Sequence, residues 1–200
     1  MSELHNHPHH SAERAYLFTS RDGGSLEDDV ADFLYGLIRA FKPMHILETG
    51  TYLGTATEVM AKACLLNGVG TIETLESSST HAARATQLFG ESPALSKIVK
   101  VIHQSSLTFL PQCLRDNSLP YDFAFLDSDL KCRVEELKLL SENRLLQGVA
   151  LVHDTSRLRH YTYDDYPDYP NALDSLNLPY IECPWSRGWR LYQINPNIPR

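Results

Sequence analysis

Short apolar runs alternate with longer amphipathic segments through most of this 200-residue chain. A short apolar run bounded by turn residues predicts a buried strand, and apolar residues every three or four positions predict a helix. The predicted strands span residues 45–50, 71–76, 98–103, 121–126 and 149–152. The predicted helices span residues 54–66, 80–89, 107–114 and 134–146. This alternation predicts an α/β fold in which a parallel sheet carries helices on both faces.

Two further regions flank the alternating part. An amphipathic helix is predicted between a capping box that begins at Ser25 and a stop at Pro43. Residues 155–179 are rich in tyrosine, aspartate and proline, and they predict a loop with about one helical turn. Residues 180–185 and 189–194 then predict two closing strands joined by a tight glycine turn. The whole pattern predicts a mostly parallel, seven-stranded sheet with an antiparallel C-terminal strand.

The chain divides into an N-terminal arm and one domain. Residues 1–24 are polar and rich in histidine, and we interpret them as a flexible arm. The histidine run at residues 5–10 could bind a metal, since imidazole is a common ligand, or could be a solvated tail. Residues 25–200 contain no internal repeat and no linker, so we expect them to form a single domain.

Composition narrows the possible partners and compartment. No window approaches 18 consecutive apolar residues, so no membrane span is expected. The polar N-terminus does not resemble a secretory signal, and the four cysteines are scattered without a C-x-x-C pair. We therefore expect reduced thiols and a cytoplasmic location. The net charge of −7 and the lack of a basic cluster disfavour nucleic-acid binding.

Every predicted strand of the alternating region ends in polar or acidic residues. In an open parallel sheet the carboxyl ends of the strands meet at one edge, where ligands bind. The five ends are Glu48-Thr49-Gly50, Glu76-Ser77, Gln104-Ser105-Ser106, Asp127-Ser128-Asp129 and His153-Asp154-Thr155. Polar residues after strands are also ordinary loop starts and helix caps, so the pattern alone leaves both interpretations open. Together the five ends favour a ligand-binding edge.

The loop after the first predicted strand has the most specific pattern. Gly50 can adopt backbone angles that other residues avoid, and it lets a ligand approach the main chain. The following helix offers free N–H groups at its start. The spacing from Gly50 to Gly54 is not the G-x-G-x-x-G of dinucleotide-binding folds, which makes a nicotinamide-dependent oxidoreductase a distant alternative.

Residues 48–54 are similar to the E/D-x-G-x-x-x-G motif of class I S-adenosylmethionine-dependent methyltransferases, and Glu48, Gly50 and Gly54 stand in the matching places. The chain from about residue 25 to 194 most resembles small O-methyltransferases of the catechol and caffeoyl-CoA type, and related enzymes described as cephalosporin hydroxylase-like. The segments that carry the resemblance are 48–54, 71–76, 121–129 and 145–154. The resemblance implies a Rossmann-like methyltransferase fold and methyl transfer from S-adenosylmethionine to a hydroxyl of a small metabolite. A non-catalytic S-adenosylmethionine-binding module is the alternative.

The resemblance also implies which residues hold the cofactor. The loop at 48–54 would surround its methionine part, and the Glu76 carboxylate would accept both ribose hydroxyls. Residues 104–106 would contact the adenine, or would cap the following helix. Asp127 would close the pocket near the methyl group. The full set is Glu48, Thr49, Gly50, Thr51, Tyr52, Gly54, Glu76, Ser77, Gln104, Ser105, Ser106 and Asp127.

The candidate catalytic residues are Asp127, His153 and Asp154. In the catechol-type relatives, an Asp after the fourth strand and an Asp-Asn pair after the fifth hold a divalent cation. Here Asp127 and Asp154 match and Thr155 replaces the Asn, a set that suits Mg²⁺ or another divalent cation. The relatives' Lys, three residues after the first Asp, is Leu130 here.

His153 and the tyrosine-rich segment each leave two interpretations open. His153 could be a general base or a hydrogen-bonded structural residue, and neighbours on a strand point to opposite faces, so His153 and Asp154 need not share the pocket. The tyrosines of 161–169 could stack on a planar acceptor, or could pack on their own domain or on a second subunit of a homodimer.

Overall fold

The computed structural model describes residues 2–3, 19–20, 24–157, 168–184 and 187–194. The strands are β1 (Ser2–Glu3), β2 (Thr19–Ser20), β3 (His45–Thr49), β4 (Thr71–Glu76), β5 (Val99–His103), β6 (Tyr121–Leu126), β7 (Leu146–His153), β8 (Tyr180–Cys183) and β9 (Trp189–Gln193). The helices are α1 (Asp28–Phe41), α2 (Thr55–Asn67), α3 (Ser79–Gly90), α4 (Ser106–Arg115), α5 (Leu130–Glu142) and α6 (Tyr169–Asp174). Among these described residues, β1 and β2 form a separate antiparallel pair.

The other strands form one seven-stranded sheet in the order β5-β4-β3-β6-β7-β9-β8. Strands β3 to β7 are mutually parallel, and β9 runs antiparallel to both β7 and β8. The predicted α/β fold with a mostly parallel sheet is therefore confirmed. From β3 the chain builds outward to β4 and β5, then returns to place β6 on the other side of β3. The carboxyl ends of β3 and β6 thus flank the topological switch point, where such sheets bind ligands.

The sheet is buried on both faces, as the apolar runs predict. Along β3, Ile46 belongs to a core packed against α1, α2 and α3, and Leu47 belongs to a core packed against α4, α5 and α6. The same alternation continues along β6, where Phe125 and Leu126 enter opposite cores. Burying an aromatic or large aliphatic side chain of this kind contributes about 1.5–3 kcal/mol. The two cores therefore hold the edge of the sheet rigidly in place.

Two of the predicted helices have wrong boundaries, for identifiable reasons. The capping box at Ser25 does not form, since α1 begins at Asp28 and its N-cap is Glu27, whose side chain turns inward. Helix α5 begins four residues before the predicted 134, because the Asp129 side chain accepts a hydrogen bond from the Lys131 amide at 3.1 Å. It ends before the predicted 146 because Arg144 is left-handed, with φ of +57°. The earlier start brings Arg133 into the helix.

Some predictions fall on residues outside the described ranges. Most of the N-terminal arm, including the histidine run, lies outside them, and so do residues 161–167 of the tyrosine-rich segment. The four cysteines are all described, and each is a free thiol. Among the described helices, none combines the length and apolarity that a bilayer crossing requires.

Candidate functional site

A polar cleft of about 490 Å³ opens at the carboxyl ends of β3, β4, β5 and β6. Its lining comes from the loop that follows each of these strands and from the start of α5. The lining residues predicted from the sequence are Gly50, Tyr52, Glu76, Ser77, Gln104, Ser105, Ser106 and Asp127. Cleft volumes of this order accommodate drug-sized ligands and nucleoside cofactors. The structure thus brings most of the predicted cofactor residues together at the switch point.

Gly50 allows the loops after β3 and β6 to touch through their backbones. Its φ is +88°, and a Cβ added there would lie 2.7 Å from the carbonyl carbon of Asp127. The Gly50 amide donates to the Leu75 carbonyl at 2.9 Å, and the Asp127 amide donates to the Thr49 carbonyl at 2.9 Å. Only a residue without a side chain fits this turn, and the bare main chain of Gly50 faces the cleft.

Glu76 connects the loop after β3 to the start of α3. Its carboxylate accepts the Tyr52 amide at 2.8 Å and the Ser78 amide at 2.8 Å, and only 7% of the residue is exposed. Each carboxylate oxygen keeps a second lone pair for a ligand hydroxyl. Glu73, the other acid on β4, is bound to Lys100 and Tyr121 at the opposite end of the strand. Glu76 is therefore the β4 carboxylate at the cleft.

The remaining predicted cofactor residues support the loop from behind and do not line the cleft. Glu48 is fully buried and accepts a hydrogen bond from Thr57, and burial raises the pKa of its carboxyl to about 8. Thr51 shares a hydrogen bond with Thr74 at 2.5 Å. Gly54 is the N-cap of α2, with φ of +81°. These residues fix the shape of the loop that Gly50 and Tyr52 present.

Glu136 is a buried carboxyl that pattern reasoning did not single out. It accepts hydrogen bonds from the hydroxyls of Thr49 at 2.9 Å, Ser128 at 2.7 Å and Ser106. Burial raises its pKa, although these hydroxyls oppose the rise. Three of the loops that form the cleft are therefore joined at one side chain. Its position beside Leu137 on the buried face of α5 was the available signal.

A cluster of buried charges lies next to Asp127. The Asp127 Oδ1 atom is 3.0 Å from a terminal nitrogen of Arg133 and 3.1 Å from His153 Nδ1. The other terminal nitrogen of Arg133 is 3.0 Å from Asp154 Oδ2 and donates to the His153 carbonyl at 2.7 Å. Arg133 Nε donates to the Ser128 carbonyl at 2.6 Å. The guanidinium group therefore spans the loops after β6 and β7.

His153 uses both ring nitrogens within this cluster. Its side chain is fully buried, Nδ1 lies against Asp127, and Nε2 lies 2.8 Å from Glu27 Oε2. Burial alone would lower the pKa of His153, but Asp127, Glu27 and Asp154 outweigh burial and raise the pKa to about 9. At neutral pH both nitrogens therefore carry protons and donate. The geometry supports the structural interpretation of His153.

His153 and Asp154 lie in the same charged cluster, although neither lines the cleft. His153 Nδ1 and Asp154 Oδ2 are 3.8 Å apart, and they belong to the same cluster. The strand ends at His153, and Asp154 adopts a left-handed conformation with φ of +59°. This turn breaks the alternation of side chains along β7 and directs the carboxylate back toward Arg133.

Arg187 completes the cluster from the loop before β9. Its amide and guanidinium group contact the Glu27 carboxylate at 3.2 and 3.1 Å, and it also donates to the Ser25 carbonyl. Its Nε is 3.6 Å from Asp154 Oδ1. Burial would raise the pKa of Glu27, but the charges of Arg187 and His153 hold it well below its usual value. Sequence patterns did not indicate Glu27, Arg133 or Arg187, because a predicted cap accounted for Glu27, a predicted turn accounted for Arg187, and Arg133 lay outside the predicted helices.

The implied divalent cation does not fit this arrangement. Asp127, His153 and Asp154 each offer a ligand atom, and these atoms lie within 4.8 Å of one another. Thr155 is fully buried beside them, and its Oγ1 has no hydrogen-bond partner among the described residues. However, Arg133 already bridges the two carboxylates at 3.0 Å on each side. A cation between Asp127 and Asp154 would have to displace that guanidinium group.

Comparison with known proteins gives one family and a consistent fold. A family profile described as O-methyltransferase matches residues 18–154. A catechol O-methyltransferase of Niastella koreensis is 31% identical over 105 residues, which are 52% of this chain and 46% of that protein. The chain therefore spans about half the length of the curated relative that it matches.

Two solved structures illustrate the likeness of fold. The O-methyltransferase of Bacillus cereus in complex with SAH has a TM-score of 0.70 and 20% identity, over 86% of this chain and 84% of that one. An O-methyltransferase of Streptomyces achromogenes involved in tomaymycin synthesis, solved with SAM, has a TM-score of 0.68 and 20% identity, over 85% of this chain and 81% of that one. At this level of identity, the comparison establishes the fold.

Proposed function

This chain belongs to the O-methyltransferase family, and on that basis we propose that it transfers a methyl group from S-adenosylmethionine to a hydroxyl of a small metabolite. The observation that carries the proposal is the cleft at the switch point. It combines a glycine turn at Gly50, a carboxylate at Glu76 and a second carboxylate at Asp127. The Gly50 turn suits the zwitterionic amino-acid part of the cofactor, Glu76 suits its ribose, and Asp127 suits the acceptor hydroxyl that reacts.

The residues of the cleft fit the cofactor group by group. The main chain of the Gly50 turn would lie against the methionine part, and the free lone pairs of Glu76 would accept the ribose hydroxyls. Ser77, Gln104 and Ser105 would lie near the adenine. When bound, S-adenosylmethionine would supply a methyl group activated by its sulfonium; the acceptor oxygen would bond to that methyl as the sulfur leaves as a thioether. The chain's part is to align the two reactants and to exclude water.

Asp127 is the member of the charged cluster that reaches the acceptor. It lines the cleft, and its Oδ1 is occupied by Arg133 and His153. Its Oδ2 has no hydrogen bond or ion pair to any other described residue, so it can accept a hydrogen bond from an acceptor hydroxyl. A carboxylate in this position orients the hydroxyl and takes up its proton as the methyl transfers.

His153 and Asp154 act through Asp127. His153 is fully buried and donates to Asp127 and Glu27, so it fixes the orientation of the Asp127 carboxylate. Asp154 holds the other end of Arg133. In this proposal both are positioning residues, and the general-base role considered for His153 is not used. The cytoplasmic location and the homodimer stay predictions.

The test compares two carboxylates of the same strand. We expect Glu76→Gln to weaken S-adenosylhomocysteine binding by about tenfold or more, equivalent to about 1.4 kcal/mol, since it removes a charged acceptor for the ribose. Glu73→Gln is the matched control, because Glu73 lies at the far end of β4 and binds Lys100 and Tyr121. Isothermal titration calorimetry measures both variants. Equal binding by Glu76→Gln and wild type would contradict the assignment of the cleft.

A second measurement separates an enzyme from a binding module. Wild-type protein is incubated with S-adenosylmethionine and a panel of hydroxylated compounds, and release of S-adenosylhomocysteine is followed. Turnover by the wild type would support methyl transfer if Asp127→Asn lowers the rate by about a hundredfold. Loss of a general base typically lowers a rate by this factor. Tight cofactor binding without turnover on the whole panel would favour the non-catalytic module.

A further inference from the structure

We propose that Arg133 occupies the position between Asp127 and Asp154 that a divalent cation would need, so that the site works with a built-in guanidinium group and binds no metal. The ion-binding part of this proposal is independent of the proposed function. The part that concerns turnover rests on it.

The Arg133 guanidinium group bridges the carboxylates of Asp127 and Asp154. The two terminal nitrogens of Arg133 each lie 3.0 Å from a carboxylate, one of Asp127 and one of Asp154. The Arg133 side chain is only 5% exposed, so these contacts are sheltered from water. Two buried carboxylates need a counter-charge, and a planar guanidinium group supplies one with directed N–H donors. The position between the two acids is therefore filled.

The second step is that Arg133 is held in place. Its Nε donates to the Ser128 carbonyl at 2.6 Å, and a terminal nitrogen donates to the His153 carbonyl at 2.7 Å. A metal that displaced the guanidinium group would leave both carbonyls without these donors and would bury an unpaired Arg charge. Arg133 lies in the first turn of α5, and Asp129 caps the N-terminus of this helix. Displacement would disturb that helix as well.

The third step is the charge around the site. Three carboxylates, from Glu27, Asp127 and Asp154, face two guanidinium groups, from Arg133 and Arg187. The His153 ring, which lies between Asp127 and Glu27, supplies a third positive charge, so the charges of the cluster balance. A divalent cation would give the cluster an excess of positive charge, and little water reaches this buried site to offset that charge. A neutral Thr155 hydroxyl does not change this balance.

A guanidinium bridge also has a chemical consequence. A metal offers an open coordination position at which a hydroxyl loses its proton more readily, and Arg133 offers none. The acceptor hydroxyl must therefore meet Asp127 Oδ2 directly. A pair of adjacent hydroxyls, which chelates a metal, gains no advantage at this site over a single acidic hydroxyl.

The test measures Mn²⁺ binding to the full, metal-stripped chain by electron paramagnetic resonance of the free ion. We expect wild type and Arg133→Lys to bind no ion at the cluster, because both keep a cation between the acids. Arg133→Ala removes the guanidinium bridge and leaves the carboxylates of Asp127 and Asp154 without a cation between them. We expect it to bind one Mn²⁺ at ion concentrations at least tenfold below any at which wild type shows binding, and Asp154→Asn in that background to abolish this site.

The outcomes separate clearly. Binding of one Mn²⁺ to wild type, lost in Asp154→Asn, would overturn the proposal even if Arg133→Ala fails to fold. A folded Arg133→Ala that binds Mn²⁺ no better than Arg133→Lys would also overturn it. If the chain turns over an acceptor, we expect full activity in the presence of EDTA. A chain without turnover would refute the proposed function and leave the Mn²⁺ result to decide this inference.

Discussion

Glu27 Oε2 accepts a hydrogen bond from His153 Nε2 at 2.8 Å, and both side chains are fully buried. This contact joins the residue that precedes α1 to the last residue of β7. It leaves the His153 ring between two carboxylates, since Nδ1 lies against Asp127. A ring in this position keeps its proton at a pH where an ordinary histidine has lost it. The orientation of Asp127 therefore depends on Glu27, which does not line the cleft.

Replacing Glu27 should lower the pKa of His153. We expect Glu27→Gln to bring the pKa down from about 9 toward the ordinary value of 6.5, because one of the carboxylates that stabilise the imidazolium is removed. The measurement is an NMR titration of the His153 ring. Asp29→Asn is the matched control, since Asp29 is an exposed acid in the first turn of the same helix. An unchanged His153 titration in Glu27→Gln would refute the buried pair.

The free energy of unfolding should fall as pH rises from about 6 to about 9. The folded-state pKa values of His153, about 9, and Glu48, about 8, lie above their ordinary values of 6.5 and 4.5. The folded state therefore binds more protons than the unfolded state in these windows, and this contribution is lost as pH rises through the folded values. The slope approaches about 1.4 kcal/mol per pH unit for each proton.

Glu48→Gln isolates one part of this pH dependence. The amide stays neutral and keeps the size of the protonated carboxyl, so the decline between about pH 5 and 8 should become shallower. Urea unfolding at a series of pH values measures the change, and the decline toward pH 9 that belongs to His153 should remain. A wild-type stability that rises from pH 6 to 9 would contradict both assignments.

Truncating Glu136 should destabilise the cleft loops together. We expect Glu136→Ala to lower the free energy of unfolding by about 3 kcal/mol, because three buried hydroxyls lose their acceptor and a cavity forms. Glu135→Ala is the control, since Glu135 is half exposed on the same helix and makes only a 3.9 Å pair with Lys138. That substitution should change stability by less than about 0.5 kcal/mol. Thermal or urea unfolding compares the two.

The Gly50 turn should not tolerate a side chain. Gly50→Ala forces a Cβ against the Asp127 backbone at positive φ, and we expect it to cost at least about 2 kcal/mol and to abolish cofactor binding. Gly36 is exposed within α1, and a Cβ there meets nothing within 4 Å. Gly36→Ala should therefore stabilise by roughly 0.5–1 kcal/mol. Calorimetric and urea measurements on both variants distinguish a general effect of alanine from an effect of this turn.

Strands and loop ends could be predicted because their signals are local. Residues 123–126 of β6 are a continuous apolar run closed by Asp127, and the glycine spacing around Gly50 lies within a few residues. Once the strands are parallel, the polar residues that follow them must meet at one edge. The sequence alone therefore predicts that Glu76 and Asp127 lie at the same edge of the sheet.

The charged cluster could not be predicted in the same way. Glu27 and Arg187 meet only after the chain has folded, and no periodicity links them. Arg133 and Glu136 are charged residues on the buried face of α5. A search for regularly spaced apolar residues does not identify charged residues as buried. The mistaken start of that helix at 134 also left Arg133 outside it. The sequence therefore predicts the cofactor side of the site better than its acceptor side.

Arg187 is the last member of the cluster to be translated, and Glu27 is the first. Strands β3 to β7 all precede residue 187 in the chain, so they can pair while Arg187 is still inside the ribosome. During that interval Glu27 lacks one of its two cationic neighbours. The nucleoside half of the cleft can thus mature early in synthesis, and the half that governs the acceptor matures only after β9 is within reach.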